Sequence, residues 1–154
     1  MSRDLGPPPA IRPARPGDEE RIAALARQLG YPSTAEEIRR RMEPLSGDSG
    51  HAVFVADLPD RPVAGWVHVF RLATVESDPR AEVGGLVVDE ACRGKGVGRR
   101  LMERAEAWAR NSGCPTVSLR SNVIRAEAHR FYLGLGYAIV KTQHAFRKTL
   151  PETE

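Results

Sequence analysis

The sequence has few cysteines and no long hydrophobic run, and both scarcities limit what the protein can be. Its 154 residues include two cysteines, Cys92 and Cys114, which argues against a disulfide framework or a zinc cluster and favours a reducing setting. The start of the chain lacks the apolar core of a signal peptide, and no apolar run is long enough to span a bilayer. We therefore expect a cytoplasmic protein with no membrane partner and no metal.

Aromatic residues and concentrated charge are also scarce. Phe, Trp and Tyr make up 6% of the chain, which leaves few stacking platforms for single-stranded nucleic acid. The formal net charge is +3, and the basic residues are spread along the chain from Arg3 to Lys148 rather than gathered in one run. These features place a nucleic-acid-binding domain last among the candidate functions and favour a local anion site.

Apolar periodicity in the first third of the chain predicts a lead-in, a strand and two helices. Three consecutive prolines make residues 1–10 a disordered lead-in, and a short strand is expected directly after it. Apolar residues at helical spacing predict a first helix that ends at Gly30. Ser33 and Glu36 have capping-box spacing and predict the start of a second helix, which Pro44 is expected to end.

The remaining segments alternate between strands and helices. Runs rich in β-branched and aromatic residues, "HAVFVAD" and "PVAGWVHVFRL", predict a hairpin, and "AEVGGLVVD" predicts a further strand interrupted by two glycines. A central helix ending at Gly113, a buried strand "TVSLRS" and a shorter helix ending at Gly136 follow. Alternating apolar residues over 137–150 predict a final strand or tight hairpin. This order predicts an α/β or α+β fold, with helices around a mixed sheet in one domain over residues 11–150.

The segment "DEACRGKGVGRR", residues 89–100, predicts an anion site. Its glycines alternate at the start of the central helix, where backbone amides converge at the positive end of the helix dipole. The basic residues around them are Arg93, Lys95, Arg99 and Arg100. The spacing of the glycines differs from that of a P-loop and from that of a dinucleotide-binding fingerprint. A pyrophosphate group is the expected ligand. A helix start with a solvated basic face is the alternative interpretation of a glycine loop considered alone.

The loop and a second motif together resemble the GCN5-related N-acetyltransferase (GNAT) superfamily. The acetyl-CoA signature of that superfamily, Q/R-x-x-G-x-G/A, is met by residues 93–98, after a strand and before a helix. The second motif is an asparagine, an aromatic pair and a G-[FY] turn, and "SNVIRAEAHRFYLGLGY" meets it with Asn122, Phe131 and Tyr132. The resemblance covers residues 11–150. It implies a GNAT-type mixed, mostly antiparallel central sheet flanked by helices in a single domain, with acetyl-CoA as cosubstrate.

The resemblance also assigns acetyl-CoA to named residues. The glycine loop is expected to bind the CoA pyrophosphate through the amides of Arg93, Gly94, Lys95, Gly96, Val97, Gly98 and Arg99. The strand before the loop is expected to pair with the pantetheine arm through the main chain of Leu86, Val87 and Val88. The superfamily splays this strand from the next one, and Gly84 and Gly85 fit a bulge or bend there. An amide near Val87 or Val88 is expected to polarise the thioester carbonyl.

Three further residues are expected to act in catalysis or in holding the cosubstrate. Glu82 begins the strand expected to carry the pantetheine arm and is the candidate general base; a strand-end carboxylate that only faces water is the alternative. Tyr132 stands where the superfamily places a tyrosine near the departing sulfur, and a core aromatic is the alternative. Asn122 is expected either to hydrogen-bond the cofactor arm or to cap the next helix.

The activity implied by these assignments is direct transfer of an acetyl group from acetyl-CoA to a primary amine of a small molecule. Aminoglycosides are one candidate class of acceptor. A protein or peptide amine is the alternative acceptor, and a CoA-binding regulatory module without turnover is the alternative function. A homodimer is compatible with the resemblance, and no nucleic-acid partner is expected.

Overall fold

A five-stranded sheet lies within residues 6–153, the part of the chain that the computed structural model describes. The strands are β1 (Ala10–Pro13), β2 (His51–Leu58), β3 (Arg61–Thr74), β4 (Ser77–Val88) and β5 (Val117–Leu119). The helices are α1 (Glu19–Leu29), α2 (Ala35–Ser46), α3 (Val97–Asn111) and α4 (Ala126–Gly134), with a short 3-10 turn at Glu90–Cys92. Of the described residues, those up to Arg120 form one compact unit, and those from Ser121 onward form a second.

The strands lie in the order β1-β2-β3-β4-β5, so each strand pairs with its neighbours in sequence. The first three pairings are antiparallel, and β5 pairs with β4 in parallel. A two-residue turn joins β2 to β3, since Leu58 pairs with Arg61, and this confirms the predicted hairpin. The mixed, mostly antiparallel sheet with flanking helices confirms the predicted fold class.

The two faces of β3 pack against different helices. Gly65 faces α3, where an added Cβ would come within 3.0 Å of Val97 and 3.1 Å of Leu101. The alternation of a strand places Trp66 and His68 on the opposite face, where Trp66 packs against a core cluster that includes α1 and α2 side chains. The sheet therefore separates an α3 layer from an α1 and α2 layer.

Helices α1 and α3 form with the faces that the sequence predicts. α1 buries Ile22 and Leu25 and ends at Gly30, whose φ of 98° is in the left-handed region. α3 buries Val97 and Leu101 against the sheet. Each helix is stabilised by the packing of its apolar face rather than by intrinsic helix propensity, as is usual for helices of this length.

The predicted start and end of α2 are each wrong by one or a few residues. The capping box is formed by Thr34 and Glu37, not by Ser33 and Glu36. Thr34 has the extended backbone that an N-cap needs, and its side chain accepts a hydrogen bond of 3.1 Å from the Glu37 amide. Pro44 lies inside the last turn, where its missing N–H removes one hydrogen bond without stopping the helix.

Strand β4 contains the predicted bulge, at Gly84. His68 pairs with Gly85 and Val69 pairs with Val83, so Gly84 is an extra residue in the ladder between β3 and β4. β5 pairs with β4 only as far as Val83. Within the described residues, therefore, the rest of β4 has no strand on its β5 side, and one backbone edge is left open.

The predicted final strand or tight hairpin over residues 137–150 does not form. No strand or helix is assigned from 137 to 153, and the large apolar side chains Ile139, Val140, Phe146 and Leu150 are exposed. Alternating apolar residues indicate that a segment can pair, but pairing also needs a free strand edge of matching register. Of the predicted lead-in, residues 1–5 lie outside the described residues, and residues 6–9 precede β1 without regular structure.

Candidate functional site

The glycine loop between β4 and α3 has the backbone shape of an anion site. Gly94 and Gly96 have φ values of 81° and 79°, in the left-handed region that favours glycine. Gly96 is the N-cap of α3 and supplies no side-chain cap, and the first turn of the helix contains no acidic residue. The amides of that turn have no partner within the helix, so they are available to a negatively charged ligand.

Side chains around the loop separate into an exposed basic group and two buried anchors. The exposed basic residues are Arg93, Lys95, Arg99 and Arg100. Cys92 and Val97 are 2% and 1% exposed, so Val97 offers only its main chain to the predicted site. A Cβ at Gly94 or Gly96 would meet nothing within 4 Å. The loop is thus anchored at both ends and leaves its glycine backbone open to a ligand.

A buried carboxylate fixes the chain where it leaves the sheet and enters the loop. The Asp89 side chain is 6% exposed. It accepts hydrogen bonds from Arg21 at 2.8 Å, from Arg61 at 3.1 Å and from the Ala91 amide at 3.1 Å. Burial raises the pKa of Asp89, but these donors and Gln28 lower it more, so the pKa lies below its ordinary value. The carboxylate ties α1, β3 and the start of the loop together.

The predicted pantetheine segment lies on the open edge of β4. Val87 is 6% exposed and belongs to the core cluster with α1 and α2 side chains, so only its main chain can contact a ligand. Leu86 and Val88 are half-buried. On the side away from β3, this segment has no strand partner among the described residues. An extended ligand with amide groups can therefore add to this edge as a strand does.

A cavity of about 350 Å³ opens on the face of the sheet that carries α1 and α2. Its walls include Ile22, Leu29, Ile38 and Met42 from the helices, and Trp66 and His68 from β3. Gly84 and Gly85 line the cavity beside the open edge of β4. An added Cβ at Gly85 would lie 2.9 Å from the Trp66 ring, and one at Gly84 would lie 3.0 Å from His68 Nδ1. The two glycines therefore allow the rings of Trp66 and His68 to pack directly against β4.

Two β3 side chains with polar atoms, Trp66 and His68, line this cavity. The Nε1 of Trp66 is buried without a hydrogen-bond partner among the described residues, although a buried indole N–H normally has one. His68 Nε2 lies 2.9 Å from His51 Nδ1, and both rings pack against Phe70. Burial and the neighbouring His51 lower the pKa of His68 to about 4, so its ring is neutral near pH 7. The sequence does not reveal this pair, because the contact depends on the register of β2 against β3.

Comparison with known proteins decides the family. The profile described as Acetyltransferase (GNAT) family matches residues 20–137. The chain belongs to the GNAT family. It is also similar to the aminoglycoside N(6')-acetyltransferase type 1 of Stenotrophomonas maltophilia, with 31% identity over 147 residues, which cover 92% of this chain and 94% of that protein. The predicted family and the predicted N-acetyltransferase activity are confirmed.

Solved structures share the fold of this GNAT chain. A transcriptional regulator from Bacillus halodurans C-125 is 25% identical and superposes with a TM-score of 0.78, covering 91% of this chain and 99% of that one. An aminoglycoside antibiotic 6'-N-acetyltransferase from Acinetobacter haemolyticus superposes with a TM-score of 0.77 over 92% and 99% of the two chains. At 18% identity, the second likeness shows the fold alone.

The candidate general base of the GNAT chain lies in the middle of β4, not at its start as predicted. The strand begins five residues before Glu82, because Pro79 is accommodated where the pairing with β3 is irregular. Glu82 pairs with Phe70 across the ladder. Its side chain is 13% exposed, with a carboxylate oxygen 3.6 Å from Arg120 Nε, and it does not line the cavity.

Asn122 and Tyr132 belong to the second unit, where their local contacts are defined. The Asn122 side chain accepts a hydrogen bond of 3.1 Å from the Ile124 amide. Arg125, not Asn122, is the N-cap of α4, so the alternative role of Asn122 as a helix cap is wrong. Tyr132 packs edge-on against Phe131, and burial raises the pKa of its hydroxyl above the ordinary value.

Membrane-spanning helices and clusters of metal ligands are both absent from residues 6–153. No helix in this range combines the length and the apolar character that crossing a membrane requires. No group of three or more His, Cys, Asp or Glu side chains in the same range could hold a metal ion. Cys92 and Cys114 are both free and buried.

Proposed function

We propose that this GNAT chain transfers an acetyl group from acetyl-CoA directly to a primary amine of a small molecule. The observation that carries the proposal is the presence, within one compact unit, of the glycine loop, the open edge of β4 and the cavity beside it. The loop suits a pyrophosphate, the edge suits an arm with amide groups, and the cavity suits an acceptor. We propose one catalytic domain over residues 11–150, because the family profile continues across the boundary at Arg120.

The loop and the strand edge fit the two parts of acetyl-CoA. The main-chain amides of residues 93–99 bind the pyrophosphate, and the exposed basic side chains neutralise its charge. Residues 86–88 pair with the pantetheine arm through their main chain. Acetyl-CoA supplies the acetyl group as a thioester, and an amide near Val87 or Val88 donates a hydrogen bond to its carbonyl. The oxygen of the Asn122 side chain is used by Ile124, so Asn122 would contact the arm through its NH₂ group.

The acceptor amine must lose a proton before it can attack. An alkylammonium of pKa about 10.4 is free base in only a few parts in ten thousand near neutral pH, a deficit of about 4 to 5 kcal/mol. We assign the proton transfer to Glu82, directly or through a water relay. Glu82 pairs with Phe70, and His68 lies two residues along β3, so all three residues share the face of the sheet that carries the cavity.

Tyr132→Phe should lower kcat by about 10- to 100-fold without abolishing turnover. The raised pKa of Tyr132 makes its hydroxyl a poor proton donor, so its proposed role is a hydrogen bond to the departing sulfur. The measurement is steady-state release of the CoA thiol, with a melting curve to show that the variant is folded. Unchanged kcat in the folded variant would remove Tyr132 from the mechanism.

Acceptor class and turnover are separate parts of the proposal. Aminoglycosides are one class of acceptor to consider, since the Stenotrophomonas maltophilia relative bears that name. A protein or peptide amine is the alternative acceptor. Thiol release that depends on an added amine separates an enzyme from a CoA-binding regulatory module. The homodimer and the cytoplasmic location stay predictions.

Gly96→Glu should abolish acetyl-CoA binding, which tests the foundation of the proposed function. The new carboxylate would stand at the N-terminus of α3, where it opposes a pyrophosphate, and the left-handed φ of 79° adds strain. We expect the dissociation constant of acetyl-CoA, measured by isothermal titration, to rise at least about 100-fold. The new carboxylate and the pyrophosphate would compete for the same amides.

Gly17→Glu is the matched control for that experiment. Gly17 is exposed, has a φ of 105° and has nothing within 4 Å of its Cβ position, so the substitution brings the same charge and similar strain outside the loop. Wild-type affinity in this variant and lost affinity in Gly96→Glu would place the pyrophosphate at the loop. If the wild type itself does not bind acetyl-CoA, the proposed function fails.

A further inference from the structure

The cavity beside Gly84 and Gly85 has a chemistry that selects among amines. We infer that its acceptor is a predominantly apolar molecule with one primary amine, and not a polycationic amino sugar. This inference rests on the proposed function, because it takes the cavity as the acceptor site. It departs from the aminoglycoside for which the Stenotrophomonas maltophilia relative is named.

The charge of the cavity walls disfavours a polycationic acceptor. Among the described residues that line the cavity there is no Asp or Glu. The one side chain in the lining with a formal charge at neutral pH is Arg41, whose guanidinium bonds Ser33 Oγ at 3.0 Å and Glu37 Oε2 at 2.9 Å. A ligand with several ammonium groups would lose water without gaining carboxylate partners in the lining, because the Glu37 carboxylate is already paired with Arg41.

The volume of the cavity and the polarity of its walls favour a compact apolar acceptor. Ile22, Leu29, Ile38 and Met42 make the helical side of the cavity apolar. Its volume of about 350 Å³ lies at the lower end of the range for small-molecule sites, roughly 300 to 1,000 Å³. A compact apolar body therefore gains from burial here, whereas the hydroxyl groups of an amino sugar would remain without partners.

One polar group of the cavity specifies where the ligand can be polar. The Nδ1 of His68 faces Gly84, which lies next to the open edge of β4. When His68 Nε2 donates to His51, this Nδ1 is left as an acceptor for a single amine N–H. One acceptor suits a ligand with one amine group.

The test compares two amines under identical conditions with the full chain and acetyl-CoA. The probes are 2-phenylethylamine, an apolar monoamine, and kanamycin, a polycationic amino sugar. We expect kcat/KM for 2-phenylethylamine to exceed that for kanamycin by at least about 100-fold, because buried polar groups left unpaired discriminate by several orders of magnitude. Equal values, or a preference for kanamycin, would overturn the inference.

A pair of variants at Met42 makes the test specific to the charge of the walls. Met42→Glu places a carboxylate in the cavity, while Met42→Gln places a neutral side chain of similar size there. The ratio of kcat/KM for kanamycin to that for 2-phenylethylamine should rise by about tenfold in Met42→Glu relative to Met42→Gln, since one opposite charge is added. An unchanged ratio in two folded variants would contradict the inference.

Failure of the inference and failure of the proposed function give different results. If acetyl-CoA does not bind in a titration, the proposed function fails and the amines are irrelevant. If acetyl-CoA binds and kanamycin is the better acceptor, only the inference fails. If acetyl-CoA binds and neither amine increases thiol release, the inference is again wrong, since the cavity would not accept the apolar monoamine that it predicts.

Discussion

Replacing Gly65 by alanine should destabilise the protein by about 3 kcal/mol and weaken acetyl-CoA binding at the same time. The new Cβ would come within 2.9 Å of the Val87 carbonyl oxygen, 3.0 Å of Val97 Cγ1 and 3.1 Å of Leu101 Cδ1. Because the first of these neighbours is backbone, β4 or α3 must move to make room. Val97 and Leu101 belong to the first turns of α3, so their displacement also moves the amides that the glycine loop offers.

Urea unfolding measures the loss of stability, and isothermal titration of acetyl-CoA measures the loss of affinity in the folded variant. Gly47→Ala is the matched control, because nothing lies within 4 Å of its Cβ position and its φ is −98°. It should change the free energy of unfolding by less than about 0.5 kcal/mol. Normal affinity for acetyl-CoA in a destabilised Gly65→Ala protein would show that binding at the loop does not depend on the position of α3 against the sheet.

Asp89→Ala should lower the free energy of unfolding by about 3 kcal/mol near neutral pH. The substitution removes a buried acceptor that Arg21, Arg61 and the Ala91 amide share. The two arginine side chains are 35% and 44% exposed, so water can solvate them after the change, which keeps the loss near the lower limit for breaking a buried ion pair. Asp78→Ala, at an exposed position, should have little effect.

The effect of Asp89→Ala should depend on pH in one direction. The pKa of Asp89 is lower in the folded protein than its ordinary value. A carboxyl of this kind stabilises the fold above a pH of about 4, where it is also charged in the unfolded chain, and the contribution is lost as the pH falls through the folded pKa. The stability difference between wild type and variant should therefore stay constant down to about pH 4 and shrink below it. A difference that grows in acid would contradict this assignment.

The sequence was informative where one short segment determines its own conformation. The glycine loop could be predicted because Gly94 and Gly96 adopt positive φ values that few other residues tolerate. The bulge in β4 could be predicted for a similar reason, since adjacent glycines weaken a regular ladder. In both places the signal and the structure lie within a few residues.

The sequence was less informative where the outcome depends on distant segments. The contact between His51 and His68 follows from the register of two strands, and nothing local to either residue predicts it. The Nε1 of Trp66, without a partner in the described range, likewise depends on how α1 and α2 cover the sheet. At the start of α2, two overlapping capping boxes satisfy the same spacing rule, and the backbone of Thr34 decides between them.

The segment from 137 to 150 shows the limit of periodicity in another way. Its apolar residues alternate as in a strand, yet Val140 and Phe146 are 86% and 94% exposed. Alternation records which side chains could share a face, but the pairing energy comes from a second strand. A pattern within one segment does not contain that information.

The open edge of β4 also matters for how the protein behaves in concentrated solution. Unpaired N–H and C=O groups along a strand form a template on which another chain can add a strand, and this is a common route to aggregation. The bulge at Gly84 and the early end of β5 create such a template in the described part of the chain. In the proposed complex, acetyl-CoA covers it. The cosubstrate would then block strand addition at this edge, and the purified protein would aggregate more slowly in its presence.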